Sequence, residues 1–226
     1  MLKPLVIALV AAAPAHGGVV RFATRSSFNA AAGPLQTQSL SRCDTGTVAF
    51  AGPLDATHVN NACPAGVILP GLSIADPGPG GGGLYLAAPG YSGNRARAVG
   101  QNTPASDPLV LDFLDGANAV AFDLFQNFGG GAQLGRPAPF EVQLWSGTNL
   151  LADVTVTVRS RHGAFFGALS DGDAFTRILV NNPLAYDLVS NIAFSRAPDR
   201  TVAPVPEPAP IALLCLATAT LVLRLR

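Results

Sequence analysis

Short runs in which apolar and polar residues alternate constrain this chain more than any other feature. In "ANAVAFDLF", Val120, Phe122 and Leu124 share one face. In "FEVQLW", Phe140, Val142 and Leu144 share a face, with Glu141 and Gln143 on the other. "DVTVTVR" alternates Val154, Val156 and Val158 with Thr155 and Thr157, and "FTRILV" and "NIAFS" continue the pattern. A period of two in β-branched and aromatic residues makes strands with one face on a core and one in water. Ser146-Gly147-Thr148-Asn149 separates two such runs and reads as a hairpin turn. Ser26 to Ala32, small residues behind caps of the Thr24/Ser26 type and closed by Gly33-Pro34, predicts one short helix. Many short strands with frequent glycine turns predict an all-β fold, an antiparallel β-sandwich. Pro64 to Pro108 is less regular and reads as a glycine-rich loop followed by one or two weak strands.

The two ends differ from this body. Lys3 is followed by an apolar run from Leu5 to Ala13 and by Ala13-Pro14-Ala15. That is the layout of a signal peptide over residues 1–15, with signal peptidase cutting after Ala15, or else after Gly17. At the other end Ala209 to Leu223 carries no charge and stops at Arg224 and Arg226. As a helix it would reach roughly 22 Å, and snorkelling arginines make a membrane span feasible. The positive-inside rule keeps the basic tip cytoplasmic. Pro206 and Pro208 cannot sit inside a helix, so they hold Glu207 in an extended segment at the outer face.

Pro206-Glu207-Pro208, the apolar run and the terminal arginines, in that order behind a signal peptide, resemble the PEP-CTERM sorting signal of Gram-negative bacteria. The resemblance implies an exported protein, first anchored in the inner membrane by a C-terminal transmembrane helix. An exosortase-like membrane protease then cuts near the triplet and sends the product to the cell surface or medium. The tail departs from the family pattern in having only two arginines, interrupted by Leu225. The expected division is a sandwich at 16–200, a proline-rich linker at 201–208 and a sorting tail at 209–226. Residues 19 to 197 are also similar to the sandwich domains found upstream of such tails, through "FATRSSFNAAAG", "AVAFDLF", "FEVQLWSGTNLLADVTVTV", "GAFFGALSD" and "VSNIAFSRA". The closing strand of those domains often carries Asp-Asn, where this chain has Ser190-Asn191. The shape resembles galactose-binding-like jelly rolls, which implies contact with extracellular polysaccharide.

Without Lys3, Arg224 and Arg226, the 14 basic residues fall to 11 against 14 acids, or 13 if Glu207 also leaves. A weakly acidic surface with scattered arginines excludes the clustered basic face of a nucleic-acid binder. Cys215 lies in the tail, which leaves Cys43 and Cys63 as a pair in an exported domain, where a disulfide is favoured over free thiols or a metal pair.

Candidate chemistry is sparse, and no cofactor is implied. Gly78-x-Gly80-x-x-Gly83 matches a dinucleotide fingerprint in form, but Pro77 and Pro79 deny it a strand and helix. Gly90-Tyr91-Ser92-Gly93 lacks the spacing of a nucleophile elbow. His58 and His162 are the imidazoles of the domain body, and His162 reads as a solvated strand end. Asp171-Gly172-Asp173 offers two carboxylates at a turn, candidates for calcium, although two acids are usually just a solvated turn. Alternation sends Phe165 and Phe166 chiefly to packing. Trp145 falls on the parity opposite Val142 and Leu144, which makes it the first candidate for a ligand contact. The leading expectation is a non-enzymatic surface or matrix protein associated with exopolysaccharide or biofilm. Alternatives are a carbohydrate-binding module, a secreted hydrolase and a permanently tail-anchored protein.

Overall fold

The computed structural model describes residues 18–49, 53–58, 61–77, 83–102, 108–127, 137–159, 162–183 and 186–196. The signal-peptide site at Ala15, the Pro206-Glu207-Pro208 motif, Arg224 and Arg226 lie outside the described residues, as does most of the Gly78–Gly83 stretch. Among the described residues no helix is long and apolar enough to cross a membrane.

The chain opens with β1 (Val19–Phe22), α1 (Arg25–Ala32), β2 (Gln36–Thr37) and β3 (Thr47–Ala49). Next come β4 (Leu72–Ala75), β5 (Leu84–Ala87), β6 (Ala98–Gln101) and the long β7 (Leu109–Asn127). The hairpin β8 (Ala138–Ser146) and β9 (Asn149–Val158) follows, then β10 (Ala164–Ser170), β11 (Phe175–Asn181) and β12 (Tyr186–Arg196). Every pairing is antiparallel. In the stretch Pro64 to Pro108 the glycine run is followed by two strands, as expected, and is preceded by a third, β4, that the sequence did not announce. They are short, and β4 and β5 are separated by the glycine run that hides their periodicity.

Strand β7 makes the sandwich. Its first part, Leu109 to Phe113, pairs with β4 on one side and β11 on the other. Its second part, Ala117 to Asn127, pairs with β10 and β12. Between them Leu114 and Asp115 are exposed and Gly116 takes φ 72°, a left-handed conformation that glycine adopts without a steric penalty. The strand folds over there and enters a second layer. The lower layer runs β4-β7-β11-β8-β9 and the upper layer β3-β5-β6-β12-β7-β10-β1, with β2 beside the end of β12. Inward residues of both layers share one core, with Leu72, Ile74, Leu111, Val142 and Ile178 from below and Leu86, Val99, Phe122, Val189 and Phe194 from above. Phe113 meets Phe194 across it, ring centroids 5.3 Å apart.

Helix α1 begins one residue earlier than the sequence suggests, because the Thr24 hydroxyl accepts from Ser27 N at 3.3 Å and caps it. It lies on the outer face of the upper layer. Phe28 is fully buried there against Ala119 and Ala121, with Phe22, Phe165 and Leu169 around it. Cys43 and Cys63 form a disulfide closing a separation of 20 residues. On a chain-entropy basis such a loop contributes about 3 kcal/mol. Within that loop Asp55 accepts from Thr57 N, His58 N and the Thr57 hydroxyl, at 2.7, 2.8 and 2.9 Å. Burial alone would raise the Asp55 pKa, but these bonds and His58 pull it down to about 2.

Candidate functional site

The strongest convergence of polar groups lies on the outer face of the upper layer, beside the start of α1. Strand parity dictates it. Val120, Phe122 and Leu124 point into the core, so Ala119, Ala121, Asp123 and Phe125 point out. Helix α1 covers the two alanines and stops short of Asp123. On the neighbouring strand Ser190 faces Asp123, and the pairing then slips between Ser190 and Ala193. The bulge places Asn191 at φ 51°, which no other non-glycine among the described residues adopts with positive sign. Such a residue is strained unless its surroundings hold it, and strain of this kind gathers at binding sites.

Asp123 does the holding. Its Oδ2 accepts from Asn191 Nδ2 at 2.7 Å, and its Oδ1 accepts from Arg25 Nη2 at 2.9 Å. Arg25 also donates to the Asn191 carbonyl at 3.4 Å and lies over the Phe165 ring, 4.8 Å from its centroid. A cation in the first turn of a helix opposes the helix dipole. Arg25 is tolerated there because Asp123 and the ring face meet it.

A groove of about 280 Å³ opens here, bordered by Asp123, Asn191, Phe165, Phe125, His162 and Arg95. His162, which reads as a solvated strand end, is exposed on this wall. Its neighbour Gly163 takes φ 75°, and a Cβ there would fall 2.5 Å from the Leu124 carbonyl, so only glycine lets the turn sit against β7. Asn191 also borders a second groove of about 310 Å³ with Gln38, Ser39 and Arg97, so the bulge stands between two grooves.

The opposite wall is a rigid turn, residues 89–97. Buried Asn94 organises it by donating to the Ala88 and Ala96 carbonyls at 2.9 and 2.7 Å and accepting from Ser92 N at 2.9 Å. Gly90-Tyr91-Ser92-Gly93 is thus a tight turn whose serine is buried, 3 % exposed, while Tyr91 stands 46 % exposed. The Tyr91 ring leans on Tyr85 at 5.4 Å, and Tyr85 packs on the cluster that contains Phe125. Burial, then the neighbouring Tyr91 hydroxyl, raises the Tyr85 pKa. Tyr91 is thus an exposed ring on the same turn whose Gly93 and Arg95 line the groove.

The residues singled out from sequence lie elsewhere. Trp145 is half-buried on the outer face of the lower layer, across from Arg177 on β11 and Leu150 on β9. Its Nε1 is buried with no partner among the described residues. Beside it Arg177 clamps Asp112 through two bonds, of 2.6 and 3.2 Å, which raise the Arg177 pKa. Asp171 and Asp173 sit in the turn after β10, which the Ser170 hydroxyl organises by donating to the Asp173 carbonyl at 2.6 Å. No group of three histidines, cysteines or carboxylates gathers there or elsewhere among the described residues. Phe166 is in the core, as alternation requires, and Phe165 is on the groove. Sequence reasoning passed over Arg25, Tyr91, Arg95 and Asp123. Asp123 could have been found as a lone charge on an outer face otherwise made of two alanines and Phe125.

No protein-family model matches the chain, and no curated protein does. Among solved structures it is similar to a mutant of CBM29-2, a family 29 carbohydrate-binding module studied for ligand recognition. The identity is 15 %, the TM-score 0.34, and the match covers 76 % of this chain and 99 % of that one.

Proposed function

We propose that this chain is an exported, non-enzymatic glycan-binding sandwich, carried to the cell surface by its PEP-CTERM-like tail and associated there with extracellular polysaccharide. The observation that carries the binding reading is the Asp123–Asn191–Arg25 clamp beside a groove lined by Asp123, Asn191 and Phe165. Sugar hydroxyls donate and accept at once, so a fixed carboxylate beside a fixed amide suits a vicinal pair. An exposed ring offers a face for pyranose C–H groups. Binding is favoured over turnover because, among the described residues, the groove borders on one carboxylate, already engaged by Arg25 and Asn191. Glycoside hydrolysis ordinarily needs two carboxylates. The sorting reading rests on the order of features at the two ends of the sequence.

Trp145 supports a second contact surface, because a half-exposed indole on a bare sheet face is a common sugar platform. A glycan array separates the two. Binding that falls at least about tenfold in Asp123→Ala and holds in Trp145→Ala supports the groove, and the reverse pattern moves the site to the lower layer. No binding to any glycan, or turnover by the purified chain, defeats this reading. The tail is tested by expressing the full chain in an exosortase-bearing host and weighing the product. An end near Pro206 to Pro208 supports processing, whereas a product retaining Arg226 leaves a permanent anchor.

A further inference from the structure

Among the described residues, several buried polar side chains gather at one end of the interior. There β6, β7 and β12 turn Gln101, Gln126 and Asp187 inward. Asp187 pairs with Gln126 on β7. On the other side Leu188 faces Gly100 and Val189 faces Val99, and the same register one residue further sets Gln101 opposite Asp187. Their neighbours of like parity, Val99, Leu124 and Val189, belong to the core. Gln101 and Asp187 are both 0 % exposed. From the lower layer Asp76 follows the end of β4, two residues beyond the inward Ile74, half-buried, and its charge helps raise the Asp187 pKa.

Neither oxygen of Asp187, and neither polar atom of the Gln101 amide, has a hydrogen-bond partner among the described residues. Nearby backbone N–H groups of Asp187 and Leu109 offset only part of the burial cost of that carboxylate. A buried carboxylate near a second one, beside an unsatisfied amide, is compensated in folded chains either by a proton or by a cation between the groups.

We propose that Asp187, Asp76 and the Gln101 amide oxygen bind a calcium ion inside this end of the sandwich, joining the upper layer to the lower. The donors are all hard oxygens, two of them anionic, which suits Ca²⁺ and its tolerance of irregular geometry. Zinc prefers nitrogen and sulfur, and magnesium demands a regular octahedron and keeps its waters. The site is at the opposite end of the fold from Asp171 and Asp173, because β10 runs the length of the upper layer between them.

The test uses the full chain, stripped with a chelator. Calcium alone should bind in calorimetry and raise the melting temperature by at least about 5 °C. Asp187→Asn and Asp76→Asn should abolish both effects, while the double variant Asp171→Asn/Asp173→Asn keeps them. If Asp187→Asn does not fold, Gln101→Leu retains both carboxylates and should weaken calcium binding at least about tenfold. The proposal is overturned if calcium gives neither heat nor shift, and Asp187→Asn melting at or above the parent in chelator would then identify Asp187 as a buried neutral acid. It is overturned equally if magnesium shifts the melt and calcium does not, or if the Asp171/Asp173 variant is the one that loses binding.

Discussion

The two outer faces of this sandwich arise from the same alternation and end up differently equipped. The lower face is a plain ladder. Glu141, Gln143 and Trp145 stand in a row beside Arg177 and Leu179, and their contacts are side-by-side pairs such as Arg177 with Asp112 and Gln143 with Asp153. The upper face is covered at one end by α1, indented at the Asn191 bulge and walled by the Asn94 turn. Its groups converge from a helix, two strands and two turns. A flat face gives a ligand area, whereas a pinched face gives it fixed directions. Specific recognition of a small polar ligand depends on the second.

The largest test of this contrast removes the cover. Phe28→Ala empties a fully buried ring site and should cost about 3 to 5 kcal/mol in urea unfolding, taking groove binding with it. Trp145→Ala on the lower face should cost no more than about 2 kcal/mol, since the side chain is only partly buried. Equal losses at the two positions would erase the distinction between a covered face and a bare one.

A sharper comparison lies within the groove. Asp123→Ala leaves Arg25 and Asn191 without their shared acceptor and should lower stability by about 1 to 2 kcal/mol. Asn191→Gly keeps the left-handed backbone at no steric cost and removes only the side chain, so stability should stay within about 0.5 kcal/mol of the parent. Glycan affinity should fall in both. A strong loss of stability in Asn191→Gly would mean that the amide is there for the fold rather than for a ligand.

The smallest effect concerns the turn under the disulfide, remote from both faces. Asp55 ionises at about 2 in the folded chain against an ordinary 3.8, so its contribution is complete above about pH 4 and disappears as the pH falls through about 2. Because the turn is close to solvent, that contribution is below about 1 kcal/mol. Acid titration of the melting temperature should therefore differ slightly between parent and Asp55→Asn at neutral pH and converge near pH 2. Both proteins should keep full groove binding at pH 7.

Much of the architecture was legible because strands announce themselves through local period. Val142, Leu144, Val154 and Val158 are inward in the fold as their spacing requires, and Gly147-Thr148 turns the hairpin between them. The helix was legible from Thr24 and Gly33, its two boundaries. The cysteine pair follows from having two thiols in the body of the chain. What stayed hidden was every feature in which two distant segments decide together. "LVLDFLDGANAVAFDLFQN" does not reveal that β7 folds over at Gly116, since that depends on which strands lie beside each part. The groove shares this property, because Arg25 and Asp123 are 98 residues apart.

The sequence by itself determined which residues face inward, where the chain turns and which thiols could pair, since those choices depend on neighbours within a few bonds. The tertiary structure alone decided that an arginine at a helix start, an aspartate among alanines and a strained asparagine form one clamp. It also decided that Asp187 and Gln101 are both sealed in the interior. Such meetings depend on the crossing and register of whole strands, which the shared hydrophobic core fixes and no local pattern encodes.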